Sequence, residues 1–195
     1  MLTTIYSFCP QPGCVDGNNP YSSPILGTDG NFYGSTGAGG SDLCDQSGCG
    51  TLFQLMPSGT LTTLHTFEMT DGSYPYTGVM QATNGAFYGT TYGGGTNTCG
   101  DGDIDCGTVF GLSVNLGPFI TTTPPAGRIG AKVGILGTDL TGATGVTFNG
   151  IAAEFKIVSP TLIAAKVPSG AATGTVQVQL PSGKLTSSVP FIVLR

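Results

Sequence analysis

The sequence predicts an all-β chain: two four-stranded, propeller-blade-like repeats followed by a C-terminal β-sandwich. Three observations lead there. The 195 residues include 33 glycines and 13 prolines, yet mean hydropathy is positive and β-branched and aromatic residues recur in alternation. That combination fits a turn-rich β protein better than a disordered one. Residues 1–116 repeat themselves with a period of 55–59 residues, and from Gly117 the repeat stops and the composition changes. The chain therefore divides into 1–116 and 117–195, with 117–127 as linker and first strand of the second part.

Charge limits what each part can bind. Charged residues make up 9% of the chain, against about 25% in an average domain. Residues 1–127 hold nine acids and no Lys or Arg, whereas all six cations (Arg128, Lys132, Lys156, Lys166, Lys184, Arg195) come later, with only Asp139 and Glu154 among them. A part without a cation cannot neutralise phosphates, which excludes nucleic acid as its partner. No apolar run approaches the ~18 residues of a membrane-spanning helix.

The repeat is legible element by element. "LTTIYSF" (Leu2–Phe8) returns as "LTTLHTF" (Leu61–Phe67), "DGNNPYSSPILGTDGNFYGST" (Asp16–Thr36) as "DGSYPYTGVMQATNGAFYGTT" (Asp71–Thr91), and "CGTLFQL" (Cys49–Leu55) as "CGTVFGL" (Cys106–Leu112). The offset changes only where cysteine loops change length, so those loops are hairpin tips between fixed strands. In the first copy the strands read as Pro24–Gly27, Asn31–Thr36, Thr51–Met56 and Thr60–Phe67, with "TDG" and "PSG" as turns. Four strands in ~40–60 residues is the pattern of a propeller blade.

The six cysteines form three close pairs, Cys9/Cys14, Cys44/Cys49 and Cys99/Cys106, with four, four and six residues between partners. Six cysteines allow 15 connectivities. Local pairing points to three short-loop disulfides, and hence to an oxidising, extracytoplasmic setting. Zinc is the competing reading, but it favours tighter spacing with further Cys or His nearby. The opening "MLTTIYSFCPQ" has neither the basic start nor the apolar core of a signal peptide, so the chain reads as a mature form or a fragment.

The segments "FYGTT", "GTVF" and "LTTLHTF" resemble the GloVer-type tandem repeats of bacterial surface and secreted proteins, over about residues 1–115. The resemblance implies propeller-like architecture and little chemistry. In chain order the strands number eight, and they complete two blades only if Leu2–Phe8 joins the last sheet. Two blades cannot close a ring, since propellers use 4–8. The strand Thr108–Val114 is then an open edge, a template for another chain.

Beyond the Thr/Pro-rich "GPFITTTPPAG", alternation in Thr175–Leu180 and Val189–Leu194 and turns about every ten residues suggest a seven-strand sandwich. Pro124, Gly127, "GTDLTGATGVTFNG" (Gly137–Gly150), Ala153, Phe155 and "VPSGAATGTVQV" (Val167–Val178) resemble an IPT/TIG immunoglobulin-like domain. That resemblance implies an Ig-like sandwich used as a spacer or adhesive module. The six scattered cations form no stripe for DNA.

Catalytic constellations are thin. His65 is the only histidine, and a general base needs an orienting partner and a nucleophile or substrate in reach. It stands where the first repeat has Tyr6, which favours packing and gives a metal-dependent propeller lyase little support. Most acids sit in "DG" or "GD" turns, and the two glutamates, Glu68 and Glu154, lie in different parts, so a paired-carboxylate glycosidase lacks its pair. "GAGG" (Gly37–Gly40) and "GGG" (Gly93–Gly95) lack a phosphate-loop lysine and read as turns. The rings of Phe32, Tyr33, Phe87, Tyr88 and Tyr92 suit packing between blades, with a glycan-binding face as the alternative.

No cofactor is required. Asp101, Asp103 and Asp105 match positions 1, 3 and 5 of an oxygen-ligand calcium loop, but Cys106 and Leu112 stand where that loop wants Gly and Glu. A weak calcium site and a solvated hairpin tip both remain open. The sequence thus points to a non-enzymatic extracellular surface protein. Its expected partner is a second copy of itself, with Leu2, Thr4, Tyr6 and Phe8 forming an assembly strand for the edge at Thr108, Phe110 and Leu112. Ring and filament both fit, and the acidic/basic asymmetry would help order copies head to tail. A glycan-binding adhesin module cut from a longer propeller is the alternative.

Overall fold

The computed structural model describes all residues except 45–46 and 98–105. It divides into two compact units, Met1–Ala82 with Ala86–Val114, and Thr83–Gly85 with Asn115–Arg195.

The first unit holds two antiparallel meanders. β1 (Ile25–Leu26), β2 (Phe32–Thr36), β3 (Thr51–Leu55) and β4 (Leu61–Thr66) lie in the order β1-β2-β3-β4. β5 (Met80–Gln81), β6 (Phe87–Thr90) and β7 (Val109–Leu112) form a second sheet, β5-β6-β7, which among the described residues has no fourth strand. Registers match: Phe32 faces Leu55 as Phe87 faces Leu112, and Ser35 faces Leu52 as Thr90 faces Val109. The segment Leu2–Phe8, a strand by sequence, carries no ladder. A strand requires a neighbour to satisfy alternate N–H and C=O groups, and no described strand pairs with this segment.

The two sheets meet through aromatic rings. Tyr33 on β2 stacks on Phe87 on β6, with centroids 4.1 Å apart and planes 28° from parallel. The Ser35 hydroxyl donates to the carbonyls of Pro75 and Thr77. Disulfides Cys9–Cys14 and Cys44–Cys49 staple two of the loops, the second fully buried.

The second unit is an Ig-like sandwich. One sheet joins β8 (Thr121–Thr123), β10 (Lys132–Leu136), β13 (Phe155–Ser159) and β14 (Leu162–Lys166) in the order β13-β14-β10-β8. The other joins β11 (Gly145–Phe148), β12 (Ile151–Ala152), β15 (Val176–Leu180) and β16 (Gly183–Thr186) in the order β12-β11-β15-β16. Alternate residues (Val133 and Ile135, Val146 and Phe148, Val176 and Val178) fill the space between them around the edge-to-face pair Phe148–Phe191. The expected seven strands are thus too few. Pro124 and Pro125, which cannot donate to a ladder, split the first strand, so that β8 stays in one sheet while β9 (Ala126–Arg128) pairs in parallel with β17 (Ile192–Leu194).

Candidate assembly site

The motif residues of the repeat build a buried hydrogen-bond knot rather than a reactive centre. Thr36 Oγ1 accepts from the Thr51 backbone N–H at 3.0 Å and lies 2.8 Å from the Thr51 hydroxyl, which donates to the Asp16 carbonyl. The second copy repeats every bond with Thr91, Thr108 and Asp71. In the first copy Thr36 and Thr51 are fully buried, which leaves no water to substitute, so each hydroxyl must find its partner in the protein. The glycine of each "DG" sits over the knot. A Cβ on Gly17 would lie 2.2 Å from Thr36 Oγ1, and one on Gly72 would lie 2.5 Å from the Thr91 methyl. The glycine of each "FYG" makes room for the phenylalanine of "GT[LV]F": a Cβ on Gly34 or Gly89 would meet the Phe53 or Phe110 ring at 2.6 and 2.5 Å.

A second repeated device anchors the chain where it enters each sheet. His65, at the end of β4, places Nε2 2.8 Å from Asp71 Oδ2, and Asp71 Oδ1 accepts from the Glu68 N–H. The Phe67 ring meets Phe110 edge to face at 5.2 Å. Upstream, Tyr6 donates its hydroxyl to Asp16 Oδ2 at 2.8 Å, Asp16 also accepts from the Cys9 N–H, and Phe8 meets Phe53 at 5.1 Å. Burial, then the hydrogen bond to Asp16 and its charge, raise the Tyr6 pKa. Leu2–Phe8 is therefore held against the first sheet just as β4 is held against the second.

Among the described residues, β7 is the terminal strand of the second sheet. In the first sheet, β4 covers β3, and Leu52 is 2% exposed. Its equivalent on β7, Val109, is 82% exposed. Phe110, Leu112 and Thr108 are likewise less buried than Phe53, Leu55 and Thr51. Outward-facing N–H and C=O groups along such an edge suit a strand from elsewhere.

The remaining candidates are placed as follows. Cys106 is disulfide-bonded; Cys99 and the calcium candidates Asp101, Asp103 and Asp105 lie outside the described residues. Among the described residues, no three His, Cys, Asp or Glu side chains group to hold a metal. His65 has one carboxylate partner and a neighbouring ring, Phe67 at 4.9 Å. Tyr21, Tyr74, Tyr76 and Tyr92 form a cluster with centroids 5.3–5.9 Å apart, three of them exposed. Burial acts to raise the Asp29 carboxyl, but hydrogen bonds from Tyr33 and Asn31 outweigh it and hold the group below its usual pKa. Burial and the same carboxylate push Tyr33 up to about 12. Sequence reasoning gave Asp16 and Asp71 only turn roles. The signal that would have found the anchor is the paired recurrence of an aromatic or histidine two residues before Phe and a "DG" shortly after.

A family model described as the Gloeobacter/Verrucomicrobia repeat matches residues 1–154, and an IPT/TIG domain model matches residues 118–192. No curated protein matches the chain.

Proposed function

Because the chain belongs to the Gloeobacter/Verrucomicrobia repeat family and carries an IPT/TIG domain, we propose that it is a non-enzymatic structural module of an extracellular surface whose copies join head to tail by strand complementation. The disulfides support the oxidising setting, and no helix among the described residues is long and apolar enough to cross a membrane. One observation carries the assembly reading: among the described residues, Leu2–Phe8 is anchored at its end yet pairs with no strand, and β7 has no counterpart of the strand that β4 gives β3.

Transferring the β3–β4 register to these segments sets Leu112 opposite Leu2, Gly111 opposite Thr3, Phe110 opposite Thr4, Val109 opposite Tyr6 and Thr108 opposite Ser7, with Ile5 at the bulge. The joined segments both lie among residues without Lys or Arg. Salt should therefore strengthen the contact by screening like charge, opposite to what an acidic-to-basic ordering would give. Deleting residues 1–8 tests the reading, alongside Thr3→Pro, which removes the ladder N–H at the position of Thr62 while leaving the Tyr6 and Phe8 anchors intact. Both are expected to leave a monomer in light scattering. Assembly unchanged in both overturns strand complementation.

The exposed tyrosine cluster favours glycan binding as a second reading, since flat rings stack on sugar faces. It predicts saturable binding on a glycan array that Tyr92→Ala abolishes.

A further inference from the structure

We infer that the outer face of the second repeat sheet is a docking surface for the first repeat sheet of another copy, so that the ring stack inside each chain recurs between chains. The inference rests on the proposed head-to-tail assembly and adds a face to it, separate from the strand. The ground is the internal repeat. Inside one chain, Tyr33 and Phe87 stack across the two sheets, at 2% and 0% exposure. The repeat places Tyr88 where the first copy has Tyr33, and Phe32 where the second has Phe87. Tyr88 is 37% exposed, and Phe32 is only half-buried. One half of the stack is thus presented at each end of the unit.

The neighbouring contacts agree. Tyr21 meets Tyr76 edge to face across the two sheets, and both rings keep exposed surface that the next sheet along would cover. Ser35, 2% exposed, donates across the junction to the Pro75 and Thr77 carbonyls, while its equivalent Thr90 is exposed, with its hydroxyl 3.0 Å from that of Thr77. A second copy is the occupant because the contact surfaces are already complementary within one chain. The face also continues the same junction that the strand Leu2–Phe8 would complete. Tyr88 of one copy then stacks on Phe32 of the next, Thr90 reaches the Pro20 carbonyl region, and the contact is heterologous. Repeating it generates rings of an even number of sheets or an open filament.

The test uses full chains. Tyr88→Lys and Phe32→Asp each place a charge in the stack on one side only. Each variant alone is expected to weaken assembly by about 30-fold or more, the loss typical of a central aromatic contact, with an unchanged circular dichroism spectrum. Mixed in equal amounts, they are expected to assemble again. The new lysine of one variant meets the new aspartate of the other at one junction, and the parent contact between Tyr88 and Phe32 forms at the next. Parent-like assembly by either variant alone overturns the face; so does a properly folded pair that fails to assemble when mixed. The strand reading fails separately, if chains lacking residues 1–8 assemble as the parent does. A parent chain that stays monomeric at millimolar concentration overturns both.

Discussion

Val109 and Leu52 occupy the same place in two copies of one motif, yet one is 82% exposed and the other 2%. That contrast makes Val109→Ala a sharp probe. In the dissociated chain an exposed valine contributes little, so its truncation should change stability by no more than about 0.5 kcal/mol. Leu52→Ala, in the covered sheet, should cost about 2–5 kcal/mol. In the assembly Val109 takes on the Leu52 environment opposite Tyr6 of another copy. Losing two carbon groups there at ~0.8 kcal/mol each comes to about 1.6 kcal/mol, or about 15-fold in dissociation constant. Urea unfolding of the dilute chain supplies the first number. All seven tyrosines precede residue 93, so tyrosine fluorescence follows the repeat unit alone. Sedimentation across a concentration series supplies the second. The reasoning is refuted if Val109→Ala costs the dilute chain more than about 1 kcal/mol, or leaves the dissociation constant unchanged.

Other consequences are independent of assembly. Gly17→Ala forces a Cβ to 2.2 Å from Thr36 Oγ1 at φ +99° and should lower the stability of the repeat unit by roughly 3 kcal/mol or more, seen as an earlier urea midpoint. Tyr33, raised to about 12 against an unfolded value near about 10, contributes stability that is complete below the unfolded value and disappears as pH rises toward the folded one; Tyr33→Phe should flatten that alkaline decline in a pH series of thermal melts. Calcium titration followed by thermal stability decides the role of Asp101, Asp103 and Asp105: a shift abolished by Asp103→Asn identifies a site, and no shift leaves "DGDID" as a solvated loop.

Much of the fold was legible because the sequence repeats. Each strand of the two meanders falls within its motif. Two features were not legible. The split of the first sandwich strand depends on which partner Thr121–Thr123 and Ala126–Arg128 each find, a long-range choice; the prolines give the break but not the destinations. The anchors of Leu2–Phe8 and β4 were hidden because Tyr6 and Asp16 stand ten residues apart while His65 and Asp71 stand six apart. The Cys9–Cys14 loop alters that spacing, so a fixed-interval search passes over a contact that the fold restores. The end position of β7, by contrast, follows from strand counting, since among the described residues three strands follow where four came before.

Hydrogen exchange as a function of protein concentration tests strand complementation most directly. If Leu2–Phe8 of one copy completes β7 of another, ladder amides of residues 2–8 and 109–112 gain protection together as the chain assembles, with the Ile5 bulge exchanging fastest. If the chain assembles while the amides of residues 2–8 exchange at the same fast rate at every concentration, copies do not join by this strand.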